Sequence, residues 1–292
     1  MCGIAGFYTL NNQFNEADLK SMTNAMEHRG PDAAGFFMSE DMSCGLGHRR
    51  LSIIDLSAAS NQPMFSHSAR YVTVFNGEIY NFREIAKQLN IKTRTTGDTE
   101  IILEAFEQKG PEFVNLLNGM FAIAIYDKLD KSLYLFRDRL GVKPIYYYLE
   151  EGKNFAFGSE IKSLMRSALI KRDLKVFKPA IYTFLYAGYI PEPFTIYDKI
   201  KRIPAGSYAV LKDGNLQISS YWKPEQKVSS HINTDFNSAK AELKSLLTSS
   251  VAYRMISDVP FGTFLSGGID SSAVTAVAQS ISAKPVKTFS IF

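Results

Sequence analysis

The chain begins Met1-Cys2-Gly3-Ile4-Ala5-Gly6, and a cysteine at position two can do chemistry that a cysteine elsewhere cannot. Cys2 is small, so Met1 is readily removed, leaving a thiol and a free α-amine on one residue. An α-amine titrates near ~8 and a thiol near ~8.5, so the amine can serve as base without a neighbouring histidine. Gly3 and Gly6 let backbone approach the reacting atoms, while Ile4, Ala5 and Phe7 read as a short strand anchoring the thiol. An inert thiol on a buried N-terminal strand is the rival reading, and Cys2 alone does not separate the two.

Other polar groups stand at points where the chain changes direction. His28-Arg29-Gly30-Pro31-Asp32 is a stiff turn of glycine beside proline. Gly47-His48-Arg49-Arg50 places an arginine pair on an otherwise buried-looking segment, where a surface ion pair is the plain alternative. Asn76-Gly77-Glu78 follows a run of β-formers, and Asn-Gly after a strand is first of all a turn signal. Asp98 opens a helix and reads as its N-cap. Far downstream, Leu265-Ser266-Gly267-Gly268-Ile269-Asp270-Ser271-Ser272 joins an apolar run to a helix of small residues. A strand, a glycine-rich turn and a helix N-terminus aim several backbone N–H groups at one point, a natural anion cradle. It lacks the lysine of GxxxxGK[ST], and a plain strand-turn-helix connection is the alternative.

The elements that would position these groups are mostly short strands. Strands are expected at residues 33–38, 46–54, 71–75, 121–126, 133–136, 145–148 and 155–158, with helices at 14–26, 82–89 and from Gly97 to Gly110. Many short strands with few crossover helices argue for packed antiparallel sheets in an α+β domain. An aromatic-rich helix over 174–187 and a hairpin, 207–211 with 216–221 around Asp213-Gly214-Asn215, follow. Residues 226–234 are polar and aperiodic, the best linker in the chain. Beyond it lie an amphipathic helix over 236–256, a buried strand at 259–265, a helix at 273–279 and a second strand at 286–292.

Composition narrows the function classes. The 292 residues are 46% hydrophobic and 21% charged, ordinary for a globular protein and long enough for two domains. Cys2 and Cys44 make no disulfide framework, which points to a reducing, cytoplasmic setting. Cys44 reads as a free core thiol. No apolar run approaches membrane-spanning length, and a net charge of +4 without a basic block argues against a nucleic-acid partner.

Taken in order, Cys2-Gly3-Ile4, Arg29 to Asp32, Arg50-Leu51-Ser52-Ile53, Asn76-Gly77-Glu78 and Asp98-Thr99-Glu100 resemble the glutaminase domain of class II amidotransferases, in particular that of glutamine-hydrolysing asparagine synthetases. Gly141 to Tyr147 and Gly158 to Lys162 match its later part. The resemblance implies an αββα sandwich of Ntn type. It implies that Arg50 takes the α-carboxylate of glutamine, that Asp98 with Glu78 holds the α-ammonium, and that the Asn76 side chain and Gly77 N–H form the oxyanion hole for attack by Cys2. Ser266-Gly267-Gly268-x-Asp270-Ser271-Ser272 resembles the pyrophosphate loop of N-type ATP pyrophosphatases. There Leu265, Ser266, Gly267, Gly268, Ser271 and Ser272 would line ATP, and Asp270 would help hold Mg²⁺.

The combination implies ammonia release from glutamine and its transfer to aspartate activated by ATP, with a homodimer compatible with the pattern. A related enzyme acting on another carboxylate, such as a sugar acid or the acceptor of a β-lactam-synthetase-like enzyme, is the nearest alternative, since acceptor-binding residues are expected beyond Phe292. A nucleic-acid-modifying pyrophosphatase and a non-catalytic regulator are further alternatives. The expected division is a glutaminase domain over 1–225, a linker over 226–234 and the start of a nucleotide-binding α/β domain over 235–292. Two parallel strands cannot complete such a sheet, so the domain is expected to be truncated, and glutamine hydrolysis alone is a further alternative for this chain.

Overall fold

Runs of β-branched and aromatic residues alternate with small or polar ones through the first two-thirds of the chain, and they assemble into two six-stranded antiparallel sheets. The computed structural model describes residues 1–227 and 235–291. The strands are β1 (Gly3–Thr9), β2 (Ala33–Met38), β3 (Cys44–Arg50), β4 (Met64–Phe65), β5 (Tyr71–Ile79), β6 (Gly119–Asp127), β7 (Ser132–Arg137), β8 (Tyr146–Glu150), β9 (Asn154–Gly158), β10 (Ile200–Arg202), β11 (Ser207–Lys212) and β12 (Asn215–Ser220). One sheet has the order β10-β8-β9-β1-β3-β2 and the other β12-β11-β7-β6-β5-β4.

Ile4, Leu46, Val72, Val74, Ala124, Leu135 and Phe157 fill the space between the sheets. Helices cover both outer faces: α1 (Glu16–Asn24) on one, α2 (Phe82–Gln88) and α3 (Asp98–Lys109) on the other. Leu19 and Met22 of α1 pack with Ala5 and Phe7 of β1, so this strand is buried on both sides. Across the molecule, Phe106 of α3 meets Tyr71, Phe113, Tyr134 and Phe136 at ring separations of 5.2, 5.5, 5.0 and 6.0 Å. The result is the αββα layering expected. Helices α4 (Ile161–Leu164), α5 (Ala168–Asp173) and α6 (Lys178–Ala187) follow β9.

Several boundaries differ from expectation for identifiable reasons. The strand expected over 46–54 begins at Cys44 and stops at Arg50. There Asp32 takes over, its N–H donating to Arg50 O at 3.0 Å while its carboxylate accepts from Ser52 N at 2.8 Å. Asn76-Gly77 is no turn. It lies inside β5, because β6 supplies partners Ala122 and Phe121. The helix expected over 14–26 starts at Glu16, capped by Asn15, whose side chain accepts from Ala17 N at 2.8 Å. Helix α6 starts at Lys178, followed by Pro179, a residue suited to a first turn.

The chain forms two compact units: Met1–Ser52 with Ser57–Gln226, and Ile53–Leu56 with Lys227–Phe292. Most of the expected linker, residues 228–234, lies outside the described residues. The second unit holds α7 (Phe236–Arg254), β13 (Gly262–Phe264), α8 (Ile269–Ile281) and β14 (Lys287–Phe289). Strands β13 and β14 are parallel with α8 as their crossover. The strand expected to be buried over 259–265 is three residues long, and Phe264 is 80% exposed, because β14 is its one partner among the described residues. The last strand is likewise shorter than 286–292, whose final residue is outside the described set. Ile53–Leu56 joins this unit through Asp55 N, which donates to Asp258 Oδ2 at 2.7 Å, and Ile53 O, which accepts from Asp258 N at 3.0 Å.

Candidate active site

Successive side chains of a strand point to opposite faces, so the residues of one face recur every second position. In β1 the core between the sheets receives Ile4 and Tyr8, in β3 Cys44 and Leu46, and in β5 Val72 and Val74. The same parity, followed to the strand ends, yields Cys2 beside β1, His48 and Arg50 in β3, and Asn76 and Glu78 in β5. Gly3 pairs with Arg49, which places Cys2 and Arg50 at one end. His48 Nε2 lies 3.1 Å from Phe75 O, which brings the polar end of β5 to the same place. One end of the hydrophobic core thus turns polar on three strands at once.

The backbone of β5 is arranged there in a specific way. Phe121 of β6 spends its N–H on Asp138 Oδ2 at 3.2 Å, and its carbonyl accepts from Asp138 N at 3.0 Å. Its partner Gly77 therefore occupies a pair whose polar groups point away from each other. Residues 75, 77 and 79 all face the edge of β5 opposite β6. Phe75 N donates to Gln62 Oε1 at 2.6 Å and Ile79 N to Asp98 Oδ2 at 2.9 Å. Gly77 N–H lies between them with no side-chain acceptor among the described residues. A Cβ on Gly77 would stand 2.2 Å from Met120 O, so only glycine fits this close approach.

Next to it is Asn76, 1% exposed, and among the described residues neither its Nδ2 nor its Oδ1 has a hydrogen-bond partner. An orphaned buried carboxamide costs about 1–3 kcal/mol. Such a cost persists in a folded protein where the group has work to do with something that binds.

The charged groups are held by neighbours. Cys2 Sγ lies 3.6 Å from Leu51 O, to which its S–H donates, and accepts from Leu51 N at 3.4 Å. Burial pushes the Cys2 thiol above its ordinary value and Asp98 adds to this, while Leu51 N–H, the N-terminal ammonium and Arg50 pull it back. Burial pulls the α-amine of Met1 below its ordinary value; Arg29 and Lys143 act in the same direction and the charges of Cys2 and Glu78 oppose them. Arg50 Nη1 donates to Ser57 O at 2.8 Å and Asn61 Oδ1 at 2.7 Å.

Asp98 is the first residue of α3, with Gly97 as the cap. Its carboxyl is pushed up to about 7, chiefly by burial and further by Glu78, against the hydrogen bonds from Ile79 N–H and the helix start. It is therefore a helix-first-turn carboxylate aimed at β5 rather than the N-cap expected.

Cys2, Arg50, Asn76, Gly77, Glu78 and Asp98 are thus gathered at one end of the sandwich. Sequence reasoning missed Leu51, His48, Gln62 and the buried Lys143, whose ammonium burial pulls below its ordinary range against the charges of Glu78 and Cys2. Period-two alternation was a signal that could have found His48. The contacts of Leu51 and Gln62 come from loops and carry no sequence pattern.

The glycine-rich turn lies in the second unit. Gly267 has φ +83°, a conformation that favours glycine, and Gly268 caps α8. Ser271 Oγ donates to Gly268 O at 3.1 Å and lies 3.1 Å from Ser266 Oγ; Leu265 N extends the ladder to Phe289 O at 2.8 Å. Asp270 stands in the first turn of α8. Among the described residues no group of three or more histidines, cysteines or carboxylates could hold a metal ion, and no helix is long and apolar enough to cross a membrane.

An αββα sandwich with this strand order is the Ntn amidotransferase fold. A glutamine phosphoribosylpyrophosphate amidotransferase from B. subtilis, complexed with ADP and GMP, shares it with a TM-score of 0.55 over 96% of this chain and 64% of that one, at 14% identity. Residues 1–222 match the glutamine amidotransferase domain, and the chain belongs to that family. Residues 242–292 match asparagine synthase. The chain is 36% identical to asparagine synthetase [glutamine-hydrolyzing] 1 of Bacillus subtilis, over 100% of this chain and 46% of that protein. It is 34% identical to asparagine synthetase B [glutamine-hydrolyzing] of Escherichia coli, over 98% of this chain and 46% of that one. The chain spans about half the length of these curated relatives.

Proposed function

We propose that the first unit hydrolyses glutamine to supply ammonia for ATP-dependent synthesis of asparagine from aspartate. The orphaned Asn76 carboxamide beside the outward-facing Gly77 N–H, at the end of the core that also receives Cys2, is the observation that supports it. With Met1 removed, the α-amine of Cys2 takes the thiol proton and sulfur attacks the side-chain carbonyl carbon of glutamine. The oxyanion then receives hydrogen bonds from Asn76 Nδ2 and Gly77 N–H, each donor worth roughly 100-fold or more in rate. Collapse returns the proton to the leaving nitrogen, releases ammonia and leaves a thioester, which water hydrolyses to glutamate. Arg50 holds the substrate carboxylate, and Asp98 with Glu78 its ammonium, charge pairings that a buried site strengthens.

The second unit, residues 235–292 in the division we favour with 1–225 before the linker, contributes the start of the nucleotide site. The residues Leu265, Ser266, Gly267, Gly268, Ser271 and Ser272 would cradle the pyrophosphate of ATP. The β-carboxylate of aspartate displaces pyrophosphate to form the β-aspartyl adenylate, and ammonia displaces AMP. Mg²⁺ is commonly held by one or two carboxylates with the rest of its shell from phosphates and water. A single carboxylate, Asp270, at the helix start fits that donor set. The ion would neutralise phosphate charge when bound with the nucleotide. We place the protein in the cytoplasm, where the unpaired Cys2 and Cys44 stay reduced, and expect a homodimer, a point for sedimentation equilibrium.

The test is glutamate release from glutamine by this chain and by its Cys2→Ala variant, followed by AMP and pyrophosphate release with a panel of carboxylate acceptors on protein extended past Phe292. Absence of glutamine hydrolysis would end the first part of the proposal. Adenylation of another acceptor in preference to aspartate would end the second.

A further inference from the structure

His48 occupies a place that the steps above leave without a role. It lies on β3 between the core residue Leu46 and Arg50, pairs with Ile4 of β1, and is 1% exposed. Its Nε2 crosses from one sheet to the other and meets Phe75 O at 3.1 Å. A carbonyl oxygen only accepts, so Nε2 carries the proton and donates. Burial pulls the ring down to about 3, with Arg50 adding to the effect, so the imidazole stays neutral at any working pH. A ring committed in this way takes no proton from Cys2.

Phe75 is held on both of its polar groups by side chains, Gln62 Oε1 on its N–H and His48 on its carbonyl. Its carbonyl belongs to the peptide unit that begins Asn76. Among the described residues Asn76 itself has no partner to fix the carboxamide, so its orientation depends on the backbone that carries it. On the far side, Ile79 N–H is tied to Asp98. The segment bearing Asn76 and Gly77 is pinned before and after, and left open only between.

We infer that His48 is a positioning residue for glutamine hydrolysis, bridging the nucleophile's sheet to the Phe75 carbonyl and so setting the Asn76 carboxamide and Gly77 N–H against the developing oxyanion. The inference rests on the glutaminase reading. Preorganised donors lose their effect when displaced by a fraction of an ångström, so the loss belongs on kcat.

The experiment uses the full chain and compares His48→Leu and His48→Gln with the parent protein. Leucine fills the space without a donor; glutamine restores an N–H near the position of Nε2. The leucine variant should lose about 100-fold in kcat with KM for glutamine within about threefold, and alkylation of Cys2 by iodoacetamide should keep its parent rate. Glutamine should recover kcat to within about tenfold. Should the leucine variant fail to fold, His48→Asn, polar but too short to reach Phe75, takes its place under the same criteria. Parent-like kcat without the donor, a loss carried by KM, or slowed Cys2 alkylation would each overturn the role of His48 while leaving the glutaminase reading intact. A parent protein that does not hydrolyse glutamine would overturn both.

Discussion

Arg29 Nε donates to the carbonyl oxygen of Cys2 at 2.9 Å, and its Nη1 meets Glu160 Oε1 at 3.0 Å. Residues 27, 131 and 158 positions apart in sequence are thereby tied into one strut under the nucleophile. Glu160 also accepts from His28 and lies 3.1 Å from Lys162 Nζ. Burial pushes its carboxyl up, but these partners outweigh burial and leave it below the ordinary carboxylate range. It is a firm anchor for a guanidinium that must hold a chain end in place.

The first prediction concerns this strut. Arg29→Ala should lower kcat for glutamine hydrolysis about 10–100-fold, because the Cys2 carbonyl loses a charge-assisted hydrogen bond and the thiol loses its fixed approach. KM should change much less, since Arg50 and Asp98 are untouched. Steady-state kinetics that show the whole defect in KM would contradict this assignment.

The second concerns the amine. Intact mass should show a mature chain beginning at Cys2, and Cys2→Ala should abolish glutamine hydrolysis with a thermal midpoint within a few degrees of the parent. An α-amine ordinarily titrates near ~8, so near neutral pH part of it is in the neutral form that can accept a proton. Met1 retained on protein that turns over glutamine would rule out the amine as base.

A third prediction separates grip from catalysis. Arg50→Ala should raise KM for glutamine about tenfold or more, the worth of a charge-assisted hydrogen bond at roughly 1.5–3 kcal/mol. Asn76→Leu should instead lower kcat about 100-fold or more with modest change in KM. Because leucine has the same branching and number of side-chain heavy atoms and removes an orphaned carboxamide, the Asn76→Leu protein should melt no lower than the parent. A destabilised Asn76→Leu variant, or two variants with the same KM-only defect, would show that the roles have been divided wrongly.

Much of this architecture could be read from the residues, and the parts that could not share a cause. Short alternating segments announced antiparallel sheets, and the ordered motifs from Cys2 to Asp98 announced where polar chemistry would gather. Asn76-Gly77 misled because its local preference is a turn, whereas pairing with Ala122 and Phe121 holds it extended. Asp98 misled in the same way: a carboxylate at a helix start reads as a cap, but Gly97 takes that place and Ile79 N–H claims the side chain. Residues 259–265 carry the apolar run of a buried strand, yet a strand is buried only by what covers it, and β14 and α8 cover little of Phe264. Local sequence reports preference; long-range partners decide the outcome.

The last prediction is one of pH. Burial raises the Asp98 carboxyl to about 7, with Glu78 adding to the shift. A carboxyl raised on folding contributes stability that is complete below its unfolded value near ~4 and is lost as pH climbs through about 7. Asp98→Asn keeps an oxygen to accept from Ile79 N–H and removes the titration. Its thermal midpoint should therefore match the parent near pH 4 and exceed it at pH 8. Binding runs the other way, because only the ionised carboxylate pairs with the substrate ammonium. The parent's KM for glutamine should rise as pH falls below about 7, while that of Asp98→Asn should be high, by about tenfold or more at pH 8, and flat across the same range. Melting curves and KM measured from pH 5 to 8 on both proteins check the two halves together. A parent whose KM is flat over that range, or an asparagine variant whose stability advantage does not grow with pH, would show that Asp98 does not titrate there.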